Sequence, residues 1–177
     1  MLAKSNINAY LVTGNSLSIS ANRISYLCDF RGPSLAIDTA CSSSLTALHL
    51  ACQSLRGGEC SLAVTGASNL IISPQISVAL SQTQMLAKDG RCKAFDDSAD
   101  GYVRSEGCGI VVLKPLAQAQ KDGDNILAVI EGSAIAHDGK SNGLTAPNSI
   151  SQEFVMRNAL HNAAVSPDQV SYIETHG

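Results

Sequence analysis

Apolar positions along the chain change period repeatedly, and each change marks an element. Leu35, Ala36 and Ile37 form a short continuous apolar run after the Gly32-Pro33 breaker, which predicts a buried strand over 33–40. From Cys41 the apolar residues Leu45, Leu48, Cys52 and Leu55 recur at helical spacing until Gly57-Gly58, which predicts one helix of about four turns. The same pattern predicts a helix over 18–26 after the Gly14-Asn15 turn signal, a strand over 62–65, and a helix over 74–86 opened by Pro74. Further on it predicts a strand over 110–113, a short helix or turn over 115–121, a strand over 126–130 and a helix over 150–164. Pro167-Asp168 then precedes a last strand ending in Glu174-Thr175-His176-Gly177. Alternation of strands and helices without repeats or low-complexity tracts places the chain in the α/β class of layered folds. The polar stretch Asp122-Gly123-Asp124 is its best internal boundary.

Candidate chemistry sits where the predicted strand meets the predicted helix, in Asp38-Thr39-Ala40-Cys41-Ser42-Ser43-Ser44. A cysteine in the first turn of a helix faces unpaired backbone N–H groups and the positive end of the macrodipole, both of which favour the nucleophilic thiolate. The competing role is that of a buried, inert thiol packing as a small hydrophobe. A cysteine nucleophile also needs an imidazole, distant in sequence and adjacent in the fold, and His176 at the end of the last predicted strand suits that role. Ser42, Ser43 and Ser44 lack an activating base and are read as groups that satisfy the backbone beneath Cys41. His49 lies more than two turns from the thiol and is read as a packing or hydrogen-bonding residue, while His137 and His161 are read as surface or cap residues.

These segments resemble the β-ketoacyl synthase family, and specifically the ketosynthase domains of modular polyketide synthases, along nearly the whole chain. The resemblance is carried by Gly32-Pro33-Ser34, the D-T-A-C-S-S-S element at 38–44, Asp89-Gly90-Arg91-Cys92-Lys93 with Phe95-Asp96, Asp100-Gly101-Tyr102-Val103-Arg104, and Glu106-Gly107. It continues through Asp138-Gly139-Lys140-Ser141-Asn142-Gly143-Leu144-Thr145-Ala146-Pro147-Asn148 and ends with E-T-H-G at 174–177. The resemblance implies an incomplete thiolase-like αβαβα fold, with 1–121 in the N-terminal half and 122–177 starting the C-terminal half. It implies decarboxylative Claisen condensation, in which Cys41 holds an acyl chain and His176 stabilises the charge formed as a malonyl-type extender loses carbon dioxide. It places the 141–148 loop near the acyl and pantetheine passage, with Thr145 as wall contact. A tight polar connection capped into the following helix is the alternative for that loop.

The implied partners are an acyl carrier protein, acyl and malonyl-type thioesters carried on its phosphopantetheine, and a second copy of the domain. No cofactor is expected to be bound by the segment itself. A second catalytic histidine and a lysine are expected beyond residue 177, so the chain reads as an internal fragment. Two other readings share the motif set. One is a discrete fatty-acid synthase ketosynthase; the other is a ketosynthase-like domain that passes chains along without condensing them.

Composition narrows the classes further. With 45% apolar residues, a formal charge of −3 and no basic cluster, the chain offers no nucleic-acid surface, and its seven aromatic residues give little to stack on. No run of about 18 apolar residues predicts a membrane span, and no secretory leader is recognisable, so a cytoplasmic setting is expected. The six cysteines contain no C-x-x-C pair and the four histidines are dispersed, which predicts free thiols and no zinc site. Cys92, flanked by Arg91 and Lys93, is read as structural despite its cationic neighbours, and Asp96, Asp97 and Asp100 as turn residues rather than calcium ligands. Gly107-Cys108-Gly109 runs into an apolar strand instead of opening a helix, which excludes a dinucleotide fingerprint. The isolated 177-residue polypeptide is expected to fold poorly and not to complete condensation. Extension of a malonyl-carrier substrate, run beside thiol labelling, checks this, and measurable elongation by the polypeptide alone contradicts it.

Overall fold

A computed structural model describes residues 8–176 of the protein. The order of elements is α1 (Leu11–Asn15), α2 (Leu17–Leu27), α3 (Ser43–Arg56), β1 (Ala63–Asn69), α4 (Pro74–Gln82), β2 (Gly107–Leu113), α5 (Leu116–Asp122) and α6 (Ser149–Ala163). Short 3-10 turns at Ala40–Ser42 and Pro167–Gln169 complete the set. Among the described residues β1 and β2 form a two-stranded antiparallel sheet, with Ala63 opposite Leu113 and Asn69 opposite Gly107.

The sheet depends on a small residue. A Cβ at Gly66 would overlap the carbonyl oxygen of Gly109 and crowd Ile110, its opposite number, so the strands meet here only because position 66 has no side chain. Helix α3 lies on β1. The most buried residues are Cys52 on α3, Thr65 on β1 and Ala119 on α5, which locates the core between that helix and the sheet.

Helix ends follow their side-chain chemistry. Ser73 and Asn148 accept hydrogen bonds from the N–H groups of Gln75 and Ile150 and cap α4 and α6, and Gly123 at φ +72° closes α5. The Gly14-Asn15 signal falls inside the short helix α1, and the break comes at extended Ser16, where α2 begins. Helix α4 ends at Gln82, four residues before the predicted end, because Gln84 takes φ +58° and Met85 turns its N–H back to the Leu80 carbonyl. The chain then runs alongside residues 101–103. Tyr102 donates to the Met85 carbonyl at 3.0 Å and Ala87 donates to the Tyr102 carbonyl at 3.0 Å. Gly101, at φ +144°, permits the approach, since a Cβ there would lie 2.6 Å from the Leu86 carbonyl carbon.

Three predicted strands, 33–40, 126–130 and 170–177, form no strand and make no ladder pairing among the described residues; the first ends in the 3-10 turn at Ala40, and residue 177 of the last lies outside the described range. Their apolar content is what the sequence pattern detected, yet a strand also needs a ladder neighbour, and the described residues supply none. Their side chains are correspondingly open, with Leu127 91% and Ile173 71% exposed. A compact monomer of this mass would expose roughly 8,200 Å², whereas this chain exposes 14,270 Å². Large apolar faces therefore stand in solvent. No helix among the described residues is long and apolar enough to cross a membrane.

Ion pairs fasten three of the four Asp-Gly segments. Lys93 Nζ reaches Asp89 at 2.7 Å and Asp100 at 2.6 Å, while Cys92 Sγ accepts the Val103 N–H at 3.3 Å, so the whole 89–103 loop is drawn together. Lys114 likewise holds Asp122 at 2.5 Å and Asp124 at 2.6 Å, locking the polar boundary onto the end of β2. Hydrogen bonding to Lys93 lowers the carboxyl groups of Asp89 and Asp100 below their ordinary value of 3.8, and those two carboxylates raise the Lys93 ammonium above 10.5.

Two outcomes are expected. Gly66→Ala should cost about 1–3 kcal/mol in urea unfolding by forcing β1 from β2, and an unchanged midpoint contradicts the register. The Lys93 clasp should stabilise above the ordinary carboxylate value and lose its effect as pH falls through the lowered values of Asp89 and Asp100. At the other limb it should hold below 10.5 and fade as pH rises through the raised Lys93 value. Melting temperature followed from about pH 5 to 2 should therefore fall less steeply in Lys93→Met than in the unsubstituted protein. Parallel curves contradict the clasp.

Candidate functional site

Cys41 lies in the 3-10 turn Ala40–Ser42, one residue ahead of the N-cap Ser42, and so enters α3 from outside rather than occupying its first turn as the spacing predicts. The cause is Ala40. Its φ of +55° is left-handed, a state that L-residues other than Asn, Asp and Gly rarely adopt. The kink turns the chain from the irregular segment at 33–38 into the 3-10 turn that leads the helix.

A net of hydroxyl groups holds this geometry. Asp38 Oδ1 accepts the Ala40 N–H at 3.1 Å, Ser43 Oγ donates to the Ala40 carbonyl at 2.6 Å, and the same Ser43 Oγ accepts the Thr39 N–H at 2.9 Å. Ser42 Oγ donates to the Thr39 carbonyl at 2.9 Å, and Thr39 Oγ1 lies 2.9 Å from Ser42 Oγ and 3.1 Å from Thr46 Oγ1. Ser42 and Ser43 thus act on the backbone around Cys41. No acidic residue occupies the first turn of α3 and no side chain caps it, while the Ser43 N–H is taken by the Ala40 carbonyl through the preceding 3-10 turn. Cys41 is exposed, unlike Cys52 further along the same helix, which is buried.

Two cavities flank the head of α3. The smaller, about 310 Å³, is apolar and lies between Ser44, Leu45 and Leu48 of the helix and Thr65 and Val111 of the sheet. The larger, about 700 Å³, has Ser42 on one wall and the segment 136–146, including Thr145, on the other. That loop is well tied. Ser141 Oγ donates to the carbonyls of Gly143 and Ala146, Gly139 donates its N–H to His137 Nδ1 at 2.8 Å, and Asn148 Nδ2 donates to the Asp138 carbonyl at 2.9 Å. The loop is thus capped into α6 and also faces Ser42 across a cavity.

His176 is exposed at the end of the described chain, beyond the pair in which Tyr172 donates to Glu174. Neither Cys41 nor His176 lines either cavity, and the expected pairing of the thiol with that imidazole is not among the contacts of the described residues. His49 is half-buried and its Nδ1 lies 2.8 Å from Ser133 Oγ, in keeping with a hydrogen-bonding role. Cys92 is exposed and holds the Val103 N–H. Asp100 and Asp96 are engaged by Lys93 and Ser98, and the described residues contain no group of three metal-ligating side chains. Sequence reasoning missed the left-handed state of Ala40, for which an alanine gives no signal. It also missed Asn148 as the cap of α6, although an asparagine directly before an apolar run is a recognisable one.

Comparison with known proteins places this geometry in context. The model for the N-terminal domain of β-ketoacyl synthases matches residues 1–119, and that for the C-terminal domain matches residues 127–177. The chain is 53% identical over 173 residues to a phenolphthiocerol/phthiocerol polyketide synthase polypeptide of Mycobacterium bovis, covering 98% of this chain and 9% of that protein. It is 54% identical over 179 residues to a different phenolphthiocerol/phthiocerol polyketide synthase polypeptide, from Mycobacterium tuberculosis, covering 100% of this chain and 12% of that one. Among solved structures it is similar to the oxazolomycin ketosynthase domain OzmH KS7 of Streptomyces albus, with a TM-score of 0.90 and 45% identity over 92% of this chain and 29% of the other. The ketosynthase from module 6 of the Bacillus subtilis bacillaene synthase gives a TM-score of 0.90 and 44% identity over 94% and 30%. The thiolase-like layered fold is thereby shown, and the chain spans about a tenth of the curated relatives' length.

Ser43→Ala removes both bonds that Ser43 Oγ makes across the kink, and should cost about 1 kcal/mol. The Thr39 amide should then exchange with deuterium faster than in the unsubstituted protein. An unchanged rate there contradicts the role given to Ser43.

Proposed function

The chain belongs to the β-ketoacyl synthase family, and from that premise we propose that it carries the nucleophile and one histidine of a ketosynthase acting in polyketide assembly in the cytoplasm. The observation that carries this reading is the exposed Cys41 at the uncapped head of α3, next to a cavity whose far wall bears Thr145.

Cys41 Sγ attacks the carbonyl carbon of an acyl thioester held on the phosphopantetheine of an acyl carrier protein. The carbon–sulfur bond to the carrier breaks, and the carrier thiol leaves with a proton. This splits a difficult carbon–carbon bond formation into two steps. A malonyl-type thioester then loses carbon dioxide, and its electron pair passes to the α-carbon and thioester oxygen. His176 donates a hydrogen bond to that oxygen and stabilises the enolate. The enolate carbon attacks the Cys41 thioester, the sulfur is released, and the chain has grown by two backbone carbons. The backbone N–H of Cys41 stabilises the oxyanion formed at each acyl transfer.

Residues 1–121 belong in this reading to the nucleophile-bearing half and 122–177 begin the other. What supports the division is that the two family models match on either side of it, and that Lys114 clasps Asp122 and Asp124 there. The complete domain works as a homodimer with carrier proteins as partners.

The test uses the full-length protein that carries this chain, supplied with an acyl thioester and a malonyl carrier. Cys41→Ala should abolish the β-ketoacyl product. His176→Ala should still take the acyl group onto Cys41, while release of carbon dioxide and product fall by about 10²-fold or more. Elongation by Cys41→Ala at the unsubstituted rate overturns the proposal.

A further inference from the structure

One short segment, Glu131-Gly132-Ser133, touches both α3, which follows directly on the turn holding Cys41, and the helix on which the opposite cavity wall is mounted. Toward α3, Ser133 Oγ lies 2.8 Å from His49 Nδ1 and the Glu131 carbonyl accepts from Arg56 Nη2 at 3.3 Å. Toward α6, the Ser133 carbonyl accepts from Asn162 Nδ2 at 3.0 Å, and the Gly132 backbone presses on the last turn of the helix. A Cβ on Gly132 would lie 2.5 Å from the Ala163 nitrogen and 2.7 Å from the Ala159 carbonyl oxygen. Gly132 is not among the glycines with positive φ, so the close approach, and not backbone freedom, is what requires glycine there.

The other end of α6 is fixed to the cavity loop. Asn148 donates its N–H to Asp138 Oδ2 at 3.2 Å and its side-chain amide to the Asp138 carbonyl at 2.9 Å, and Ser151 Oγ donates to that carbonyl at 3.2 Å. Across the roughly 700 Å³ cavity this loop faces Ser42, at the head of α3. The contacts run from α3 through 131–133 and α6 to the 136–146 loop, which faces the head of α3 again across the cavity. A helix of 15 residues is a rod about 22 Å long, so a displacement imposed at its last turn reaches the loop at its first.

We propose that Gly132 and Ser133 are positioning residues that set which acyl-chain lengths the site accepts, by fixing the spacing of α6 from α3 and hence the width of the cavity between Ser42 and Thr145. This inference rests on the ketosynthase reading. It adds that the gauge of the site lies in the spacer rather than in the cavity's own lining.

The experiment measures transfer to Cys41 in the full-length protein from the acetyl and octanoyl thioesters of N-acetylcysteamine, alongside melting temperature. In Gly132→Ala the added methyl drives α6 outward, and the octanoyl-to-acetyl ratio of kcat/KM should rise at least about fivefold. Ser133→Thr, which keeps the hydroxyl, should retain the original ratio, whereas Ser133→Ala should shift it. Variants that slow both thioesters by the same factor, whatever their stability, overturn the proposal. If Gly132→Ala fails to fold, Ser133→Ala decides, and an unchanged ratio there overturns it. If the unsubstituted protein takes neither thioester onto Cys41, the ketosynthase reading itself has failed. The gap is then read by the Cys41 alkylation ratio of a bulky maleimide to iodoacetamide. A rise in Gly132→Ala upholds the spacer and no change overturns it.

Discussion

An alanine at φ +55° is an uncommon backbone state, and the hydrogen bonds around Ala40 are what keep it occupied. Left-handed backbone costs an L-residue on the order of 1–2 kcal/mol. Against this stand the Asp38 carboxylate on the Ala40 N–H and the Ser43 hydroxyl on its carbonyl, each worth about 1 kcal/mol net, with the Thr39, Ser42 and Thr46 hydroxyls packed around them. The kink decides where the sulfur stands. It puts Cys41, exposed, one residue ahead of the N-cap Ser42, which lines the larger cavity.

The remainder of the described chain supports that junction from two sides. The sheet of β1 and β2 forms a floor under α3, and it can do so because Gly66 lets the strands close to contact distance. The 131–133 segment ties α3 to α6, whose cap anchors the loop across the cavity. Burial elsewhere is sparse, and the exposed area far exceeds that of a compact monomer of equal mass. Hydrogen bonds and ion pairs hold several of the turns around the site. The Lys93 and Lys114 clasps are of this kind, each drawing two carboxylates across a glycine-containing turn.

Legibility in the sequence followed the range of the interaction concerned. Helices read well, because spacing and caps are local. The helix predicted from Cys41 closes at Arg56 as Gly57-Gly58 implied, and 150–164 differs from α6 by a single residue at each end. Strands read well only where both partners are described. The run at 110–113 pairs, whereas 126–130, equally apolar, does not, because apolar content reports burial potential and not the presence of a neighbour. Family membership was legible from the ordered motifs, and the comparisons bear it out. The spacer at 131–133 was not, since nothing in Gly132 or Ser133 announces that two helices far apart in sequence meet there.

Everything turns on which sulfur forms the acyl-enzyme. The most direct measurement is to quench the full-length protein during turnover with an acyl thioester and map the added mass, peptide by peptide, over all the cysteines. The acyl group is expected on Cys41, with Cys28, Cys92 and Cys108 unmodified although they too are exposed. Acyl mass distributed among the exposed cysteines, or absent from the Cys41 peptide, would contradict the assignment.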